Sequence, residues 1–482
     1  MEVTPKRATR VIRSTVAFKR RSGKGAVTQP SGFDDHRPPS KEIIADCVHC
    51  GFCLPTCPTY ALWAEEMDSP RGRIYLMGMG LEGEALTPTM ARHFDSCLGC
   101  MACVTACPSG VQYNKLIDAT RAQVERHTER SFSDRALREA VFALFPYPRR
   151  LKLLRPILRA YQASAIGRIL RKYGLLERIS PTLSTMESIV PRLGRWEGTA
   201  ERTVASGVRR GTVGMLLGCV QREFFPEVNA ATARVLSAEG FDVISPPQQG
   251  CCGALSVHNG REQQARNFAK QVIDCFDAAG VDQVVVNSAG CGSSMKEYGE
   301  LLSDDPAYAR RANDFAEKVL DITEFLAKVG TVAERHPLQV TVAYHDACHL
   351  AHSQGIRDQP RALLLEIPGL ELKEIADSAI CCGSAGVWNV FNPEPSRQLG
   401  DKKAANIVAT GASLMVAGNP GCLMQEAAAL ERMGETGTRI SLAHTVQVID
   451  ASIRGLALAD ITPAHSGNRA TVHGLGSSSS VS

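Results

Sequence analysis

The sequence predicts an α+β chain: an N-terminal α-helical domain followed by two duplicated α/β domains. Two runs of four cysteines predict the first part. Cys47, Cys50, Cys53 and Cys57 are spaced C-x2-C-x2-C-x3-C-P, and Cys97, Cys100, Cys103 and Cys107 repeat that spacing. A longer repeat predicts the rest. Cys219, Cys251-Cys252-Gly253 and Cys291 recur as Cys348, Cys381-Cys382-Gly383 and Cys422, at offsets of 129, 130 and 131 residues. Self-similarity on that scale in two copies denotes duplicated domains, not a solenoid. Within each copy short apolar runs alternate with helical stretches, the pattern of a parallel sheet.

A length of 482 residues leaves room for roughly two to four domains. The formal charge of +4 is too small to argue for nucleic acid as a partner, and none is expected. No apolar run approaches the ~18 residues that span a bilayer, so membrane contact would be peripheral or through a partner. The 17 cysteines, many at ligand spacings in a long chain, point to a reducing compartment, hence a cytoplasmic location. Residues 1–40 read as a disordered basic tail. Over residues 1–32 eight Lys/Arg face one acid, Glu2, without the apolar core of a secretory signal.

Residues 41–125 carry the two cysteine runs. In such runs the first three thiolates wrap one [4Fe–4S] cluster and the fourth crosses to the other. The expected sets are Cys47, Cys50, Cys53 with Cys107, and Cys97, Cys100, Cys103 with Cys57. Pro58 and Pro108 end the runs by fixing φ and removing a donor N–H. Zinc would leave the third cysteine of each run without a purpose. Between the runs, Arg71 and Arg73 stand as cations beside the anionic clusters or as plain surface residues. Gly78-Met79-Gly80-Leu81-Glu82-Gly83 formally matches G-x-G-x-x-G, but it follows no strand and opens no βαβ unit, so it is rejected as a nucleotide site. No flavin or nicotinamide is expected on this chain.

Residues 126–205 read as amphipathic helices broken by Pro146, Pro148, Pro156, Pro181 and Pro191. Over 130–178, twelve Lys/Arg face three acids. Such a face suits an anionic membrane, an acidic partner or plain solvent.

Residues 206–330 and 335–455 are the two repeats, and 456–482 read as a disordered tail. VGMLLG, DQVVVN, QVTVAYH and SLMVAGN are the expected strands. Helices are expected near 227–239, 261–279, 357–366 and 396–410. Cys219, Cys291, Cys348 and Cys422 then sit just past the carboxyl ends of strands, where open α/β sheets place ligands. With Cys251, Cys252, Cys381 and Cys382 they make eight thiols expected to hold a further cluster or line a redox pocket. Cys275 stands outside the pattern and reads as structural. His258, His345, His349 and His352 read as hydrogen-bonded structural residues.

Together these motifs resemble the glycolate oxidase (glycolate dehydrogenase) iron–sulfur subunits of bacteria, over about residues 41–450. The resemblance rests on the doubled cysteine runs, SPRGRIYLM, CPSGVQY, LLGCVQ, QGCCGAL, ICCGSAG and GNPGC. It implies an electron-transfer subunit beside FAD-binding subunits that oxidise glycolate to glyoxylate. It also implies electron flow towards the quinone pool at the inner face of the cytoplasmic membrane, with FAD only in the partners and no substrate oxidation by this chain alone. Related heterodisulfide-reductase-type domains end in C-x-x-C. Here Ser294 and Gln425 occupy that last position, so their cluster does not transfer directly. Alternatives are the corresponding subunit of a D-lactate or glycerol-3-phosphate dehydrogenase, a thiol–disulfide reductase, and a redox-sensing or assembly module.

Overall fold

The computed structural model describes residues 32–193 and 198–461. The expected tails lie outside the described residues up to 31 and beyond 461. From Phe33 onward, however, the first tail is packed. Phe33 is buried, and Asp34 is held by Arg126 at 2.8 Å and His127 at 2.7 Å. The disorder reading rested on a surplus of Lys/Arg that ends before these two residues, each of which finds a partner. At the other end Leu456 and Leu458 pack on the core of the second sheet, so the ordered chain runs slightly beyond 455.

The N-terminal domain is helical. Helices Pro58–Trp63, Pro70–Leu81 and Pro88–Asp95 all begin with proline, where its fixed φ suits the first turn. Ser69 and Thr87 cap two of them by accepting the amides of Gly72 and Met90, satisfying donors that have no partner within the helix. Met77, Phe94, Leu116 and Ile117 close the core at 0% exposure. Gly78 and Gly80 lie inside helix Pro70–Leu81, which is consistent with rejecting a nucleotide loop there.

The basic segment folds as helices Phe132–Leu144, Pro148–Ala163, Ala165–Lys172, Leu175–Ile179 and Pro181–Ile189. Four of the five prolines act as breaks or starts, but Pro156 does not: it lies inside the 16-residue helix Pro148–Ala163. Its side chain is on the exposed face, where loss of one amide costs least.

Nine strands form two sheets among the described residues. In the first, β1 (Arg202–Thr203), β2 (Gly211–Met215), β3 (Phe241–Ile244), β4 (Val284–Val286) and β5 (Val319–Asp321) take the order β1-β3-β2-β4-β5. Only β1 is antiparallel. In the second, β6 (Val340–His345), β7 (Leu370–Glu374), β8 (Leu414–Ala417) and β9 (Ser441–His444) are parallel in the order β7-β6-β8-β9. Setting β1 aside, the two orders are the same, so the cysteine repeat is a repeat of fold. The repeats join through a shared core of Val235, Phe325, Leu363, Val446 and Ile449. Arg234 pairs with Asp450 at 2.6 Å, and His444 Nε2 donates to the Asn287 carbonyl at 2.8 Å.

Candidate metal centres

The first run lies on loop and turn around residues 47–57, and the second leads into the short helix Ala102–Thr105. Two cavities result. Cys47, Cys50, Cys53 and Cys107 line the first. Cys57, Cys97, Cys100 and Cys103 line the second, and Cys103 also borders the first. Each cavity thus gathers three cysteines of one run and the last of the other.

Both cavities fit an anionic metal cluster by their chemistry. Burial pushes the Cys53 thiol up to about 11 and raises Cys47, Cys100 and Cys103 as well. A thiol so placed gives up its proton readily only to a cation, and cluster iron is one. The cations expected from Ser69-Pro70-Arg71-Gly72-Arg73 are divided between the cavities: Arg71 lines the first and Arg73 the second. Arg71 is fixed by Glu66 at 2.6 Å and the His49 carbonyl at 2.9 Å. Arg73, 1% exposed, donates to the His93 carbonyl, Ser96 and Asp68 at 2.5, 2.8 and 3.2 Å.

The sequence reading missed Arg121. Its guanidinium donates to the Cys97 carbonyl, while Nη1 is buried without a hydrogen-bond partner, 3.9 Å from Asp118. A Cβ on Gly99, where φ is +66°, would stand 3.1 Å from that Nη1. The second run therefore closes on an orphaned cationic donor through a backbone that only glycine accommodates easily. Nothing in the sequence near Arg121 signals this, because the contact is tertiary.

The other eight cysteines gather as two separate sets. β2 and β4 are neighbours at the point where strand order reverses, and the segments after them carry Cys219 and Cys291. β6 and β8 do the same for Cys348 and Cys422. The Cys-Cys-Gly turns follow β3 and β7. In the first set Cys251 Sγ is 3.4 Å from Cys219 Sγ. Hydrogen bonds along the row hold three of its thiols protonated: Cys251 is raised by Cys219, Cys252 by Cys251 and Cys291 by Cys252. The second set differs. Cys348 is held well below the ordinary thiol range by a hydrogen bond from Cys381, with His349 3.8 Å away. Cys382 is lowered by Cys381 and then Cys422.

The second set also abuts the second cavity. Leu98, Cys100 and Ala102 share a packed core with Cys381, Cys382, Cys422 and Trp388, and Cys348 is among the groups that perturb Cys100. Among the histidines, His352 carries hydrogen bonds as expected. His258 stacks on His349 with ring centroids 5.1 Å apart. His345 meets it in part: the ring hydrogen-bonds Cys382, while its Nδ1 is buried with no hydrogen-bond partner. Cys275 lies on helix Glu262–Ala279, apart from both sets.

A cysteine-lined helical domain joined to two parallel-sheet cysteine domains defines an iron–sulfur electron-transfer protein. Residues 43–111 match a 4Fe-4S dicluster domain, residues 213–296 and 342–425 a cysteine-rich domain, and residues 133–190 the linker region of the glycolate oxidase iron–sulfur subunit. A protein of Bacillus subtilis described as a probable glycolate oxidase iron–sulfur subunit is 36% identical over 84% of this chain and 93% of its own. The Escherichia coli glycolate oxidase iron–sulfur subunit is 34% identical over 85% and 94%. Lactate utilization protein A of Shouchella clausii is 34% identical over 50% of this chain and 98% of its own. The chain belongs to the glycolate oxidase iron–sulfur subunit family.

Proposed function

We propose that this chain carries electrons from a glycolate-oxidising flavoprotein towards the quinone pool. Cys47, Cys50, Cys53 and Cys107 hold one [4Fe–4S] cluster, and Cys97, Cys100, Cys103 and Cys57 hold the other. A cluster of this type accepts and releases single electrons. The chain's own contribution is to hold the thiolates, exclude water and set the local charge with Arg71, Arg73 and Arg121. The carrying observation is the lining of the two cavities, each by three cysteines of one run and the last of the other.

Removing a hydride equivalent from a 2-hydroxy acid calls for an organic cofactor, so FAD belongs to partner subunits and the chain alone does not oxidise substrate. Glycolate is favoured over D-lactate because the glycolate oxidase relatives align along 84–85% of this chain. The lactate-utilisation relative spans half of it. No helix among the described residues is long and apolar enough to cross a membrane. Contact with the inner face of the cytoplasmic membrane would run through helices Pro148–Ala163 and Ala165–Lys172, where Leu153, Ile157 and Ile166 are 75%, 65% and 68% exposed. The domain limits proposed are clusters over 41–125, linker over 126–205 and repeats over 206–330 and 335–455, with the end of the linker supplying edge strand β1.

The test is an anaerobic pull-down of tagged full-length protein from its native host, assayed with glycolate and D-lactate against an artificial acceptor. A co-purified flavoprotein with glycolate-dependent reduction is expected. Cluster-loaded protein with no flavoprotein and no activity would overturn the reading.

A further inference from the structure

The two cysteine-rich repeats share a fold but differ at one position beside their thiols. β6 ends at His345, which pairs with Ala417 of β8 in the parallel register. In the first repeat Met215 pairs with Val285, the counterparts of Tyr344 and Val416. The residue matching His345 is therefore Leu216, which packs against Cys219, Cys251 and Cys252. One repeat has closed its thiol set with a hydrocarbon, the other with an imidazole.

That imidazole is aimed at the thiols. A ligand nitrogen of His345 and the sulfurs of Cys382 and Cys422 all lie within 4.8 Å of one another, all three residues being buried. Among the described residues, this trio meets that spacing. His345 is 2% exposed, and its Nδ1 has no hydrogen-bond partner. The imidazole also hydrogen-bonds Cys382, and a metal ion placed between the nitrogen and the two sulfurs would take over that contact.

The spacing also indicates what kind of metal. Thiolates at ~2.3 Å and an imidazole at ~2.0 Å from one tetrahedral ion stand about 3.5–4 Å from each other. Ligands on separate corners of a four-iron cube stand further apart. We propose that the second repeat alone is a mononuclear site in which His345, Cys382 and Cys422 bind one divalent ion, zinc or ferrous iron. The fourth position is left to a ligand outside this trio. Binding forms one metal–nitrogen bond and the metal–sulfur bonds, releases any proton still on those thiols, and takes His345 neutral. No electron moves. Leu216 leaves the first repeat without this site.

The proposal stands apart from the glycolate reading, because it is tested on metal content and not on turnover. Full-length protein purified anaerobically is analysed for iron, zinc and acid-labile sulfide, alongside His345→Leu, which installs the first repeat's residue. The expected result is about one metal per wild-type chain beyond the iron matched by sulfide. X-ray absorption at that metal's edge should show sulfur near 2.3 Å and nitrogen near 2.0 Å, and the edge that carries the signal separates zinc from iron. His345→Leu should lose that metal at least ~10-fold with its cluster absorption unchanged. His345→Cys should keep the metal but exchange the nitrogen contribution for sulfur, which preserves the test if the leucine variant does not fold. A wild-type chain with no extra metal, extra iron matched one-to-one by sulfide, or metal retained in His345→Leu would each overturn the site.

Discussion

Thr105 Oγ1 lies 2.8 Å from Nδ1 of His352, closer than its other partner, the Ala102 carbonyl at 3.1 Å. The same nitrogen accepts from Arg357 at 2.9 Å, while His352 Nε2 donates to the Ala379 carbonyl at 3.0 Å. The ring is therefore neutral, with its proton on Nε2, and burial lowers its pKa in agreement. This bond ties the helix bearing Cys103 to the π-turn that follows Cys348, joining the helical domain to the second repeat, as Asn114 and Glu297 join it to the first at 2.9 Å.

Thr105→Val keeps the shape and deletes the hydroxyl. The loss should cost ~1 kcal/mol and act locally. Hydrogen exchange measured by mass spectrometry should quicken in residues 102–107 and 346–356 while the sheets stay protected. Uniform quickening through both sheets would show that the bond is no more than part of global stability.

Crossing of the fourth thiolates gives a second expectation. Cys107→Ser and Cys50→Ser should damage the same electron paramagnetic resonance (EPR) signal, and Cys57→Ser should damage the other. If Cys107→Ser instead removes the signal lost in Cys100→Ser, each run serves its own cluster and the wiring is wrong.

Arg73 is the most enclosed cation of the helical domain, and Asp68 beside it is 8% exposed. Arg73→Met leaves that carboxylate without its guanidinium, a loss on the order of 3–5 kcal/mol, read as a fall in denaturant midpoint. With a positive charge gone, the second-cavity cluster should also become harder to reduce. A midpoint and a potential both unchanged would place Arg73 outside the electrostatics of the site.

The join between the repeats should show in the pH dependence of stability. Burial holds His444 at about 4, against ~6.5 in an unfolded chain. The unfolded chain takes the proton first, so this contribution is full above pH ~6.5 and is lost as pH falls towards 4. Burial raises Asp321 to about 6, so it works the other way, costing stability as pH rises from ~3.9 to 6. The two slopes, each up to ~1.4 kcal/mol per pH unit, offset one another. His444→Gln should therefore be less stable than wild type at pH 7 and recover on acidification towards pH 5, followed by circular dichroism melting. A constant difference between the two proteins from pH 7 to 5 would contradict this assignment.

The cysteine runs, the duplication and the strands leading to Cys219, Cys291, Cys348 and Cys422 were all legible, because each is written in local spacing or period. What escaped was tertiary. Pro156 reads as a break in sequence, yet it is tolerated on an exposed helix face. Phe33 and Asp34 look like tail until Gly80 and Arg126 come near. Arg121 and His345 carry no motif. His345 resembles an ordinary core histidine until the register of β6 on β8 sets it against Leu216 of the other repeat.

The most direct test of the electron-transfer account is EPR of the anaerobically isolated complex with glycolate as the sole reductant. Signals from two reduced [4Fe–4S] clusters should develop with glycolate and match those produced by dithionite. Clusters that dithionite reduces but glycolate, with its flavoprotein present, leaves oxidised would contradict the claim that this chain carries the electrons of glycolate oxidation.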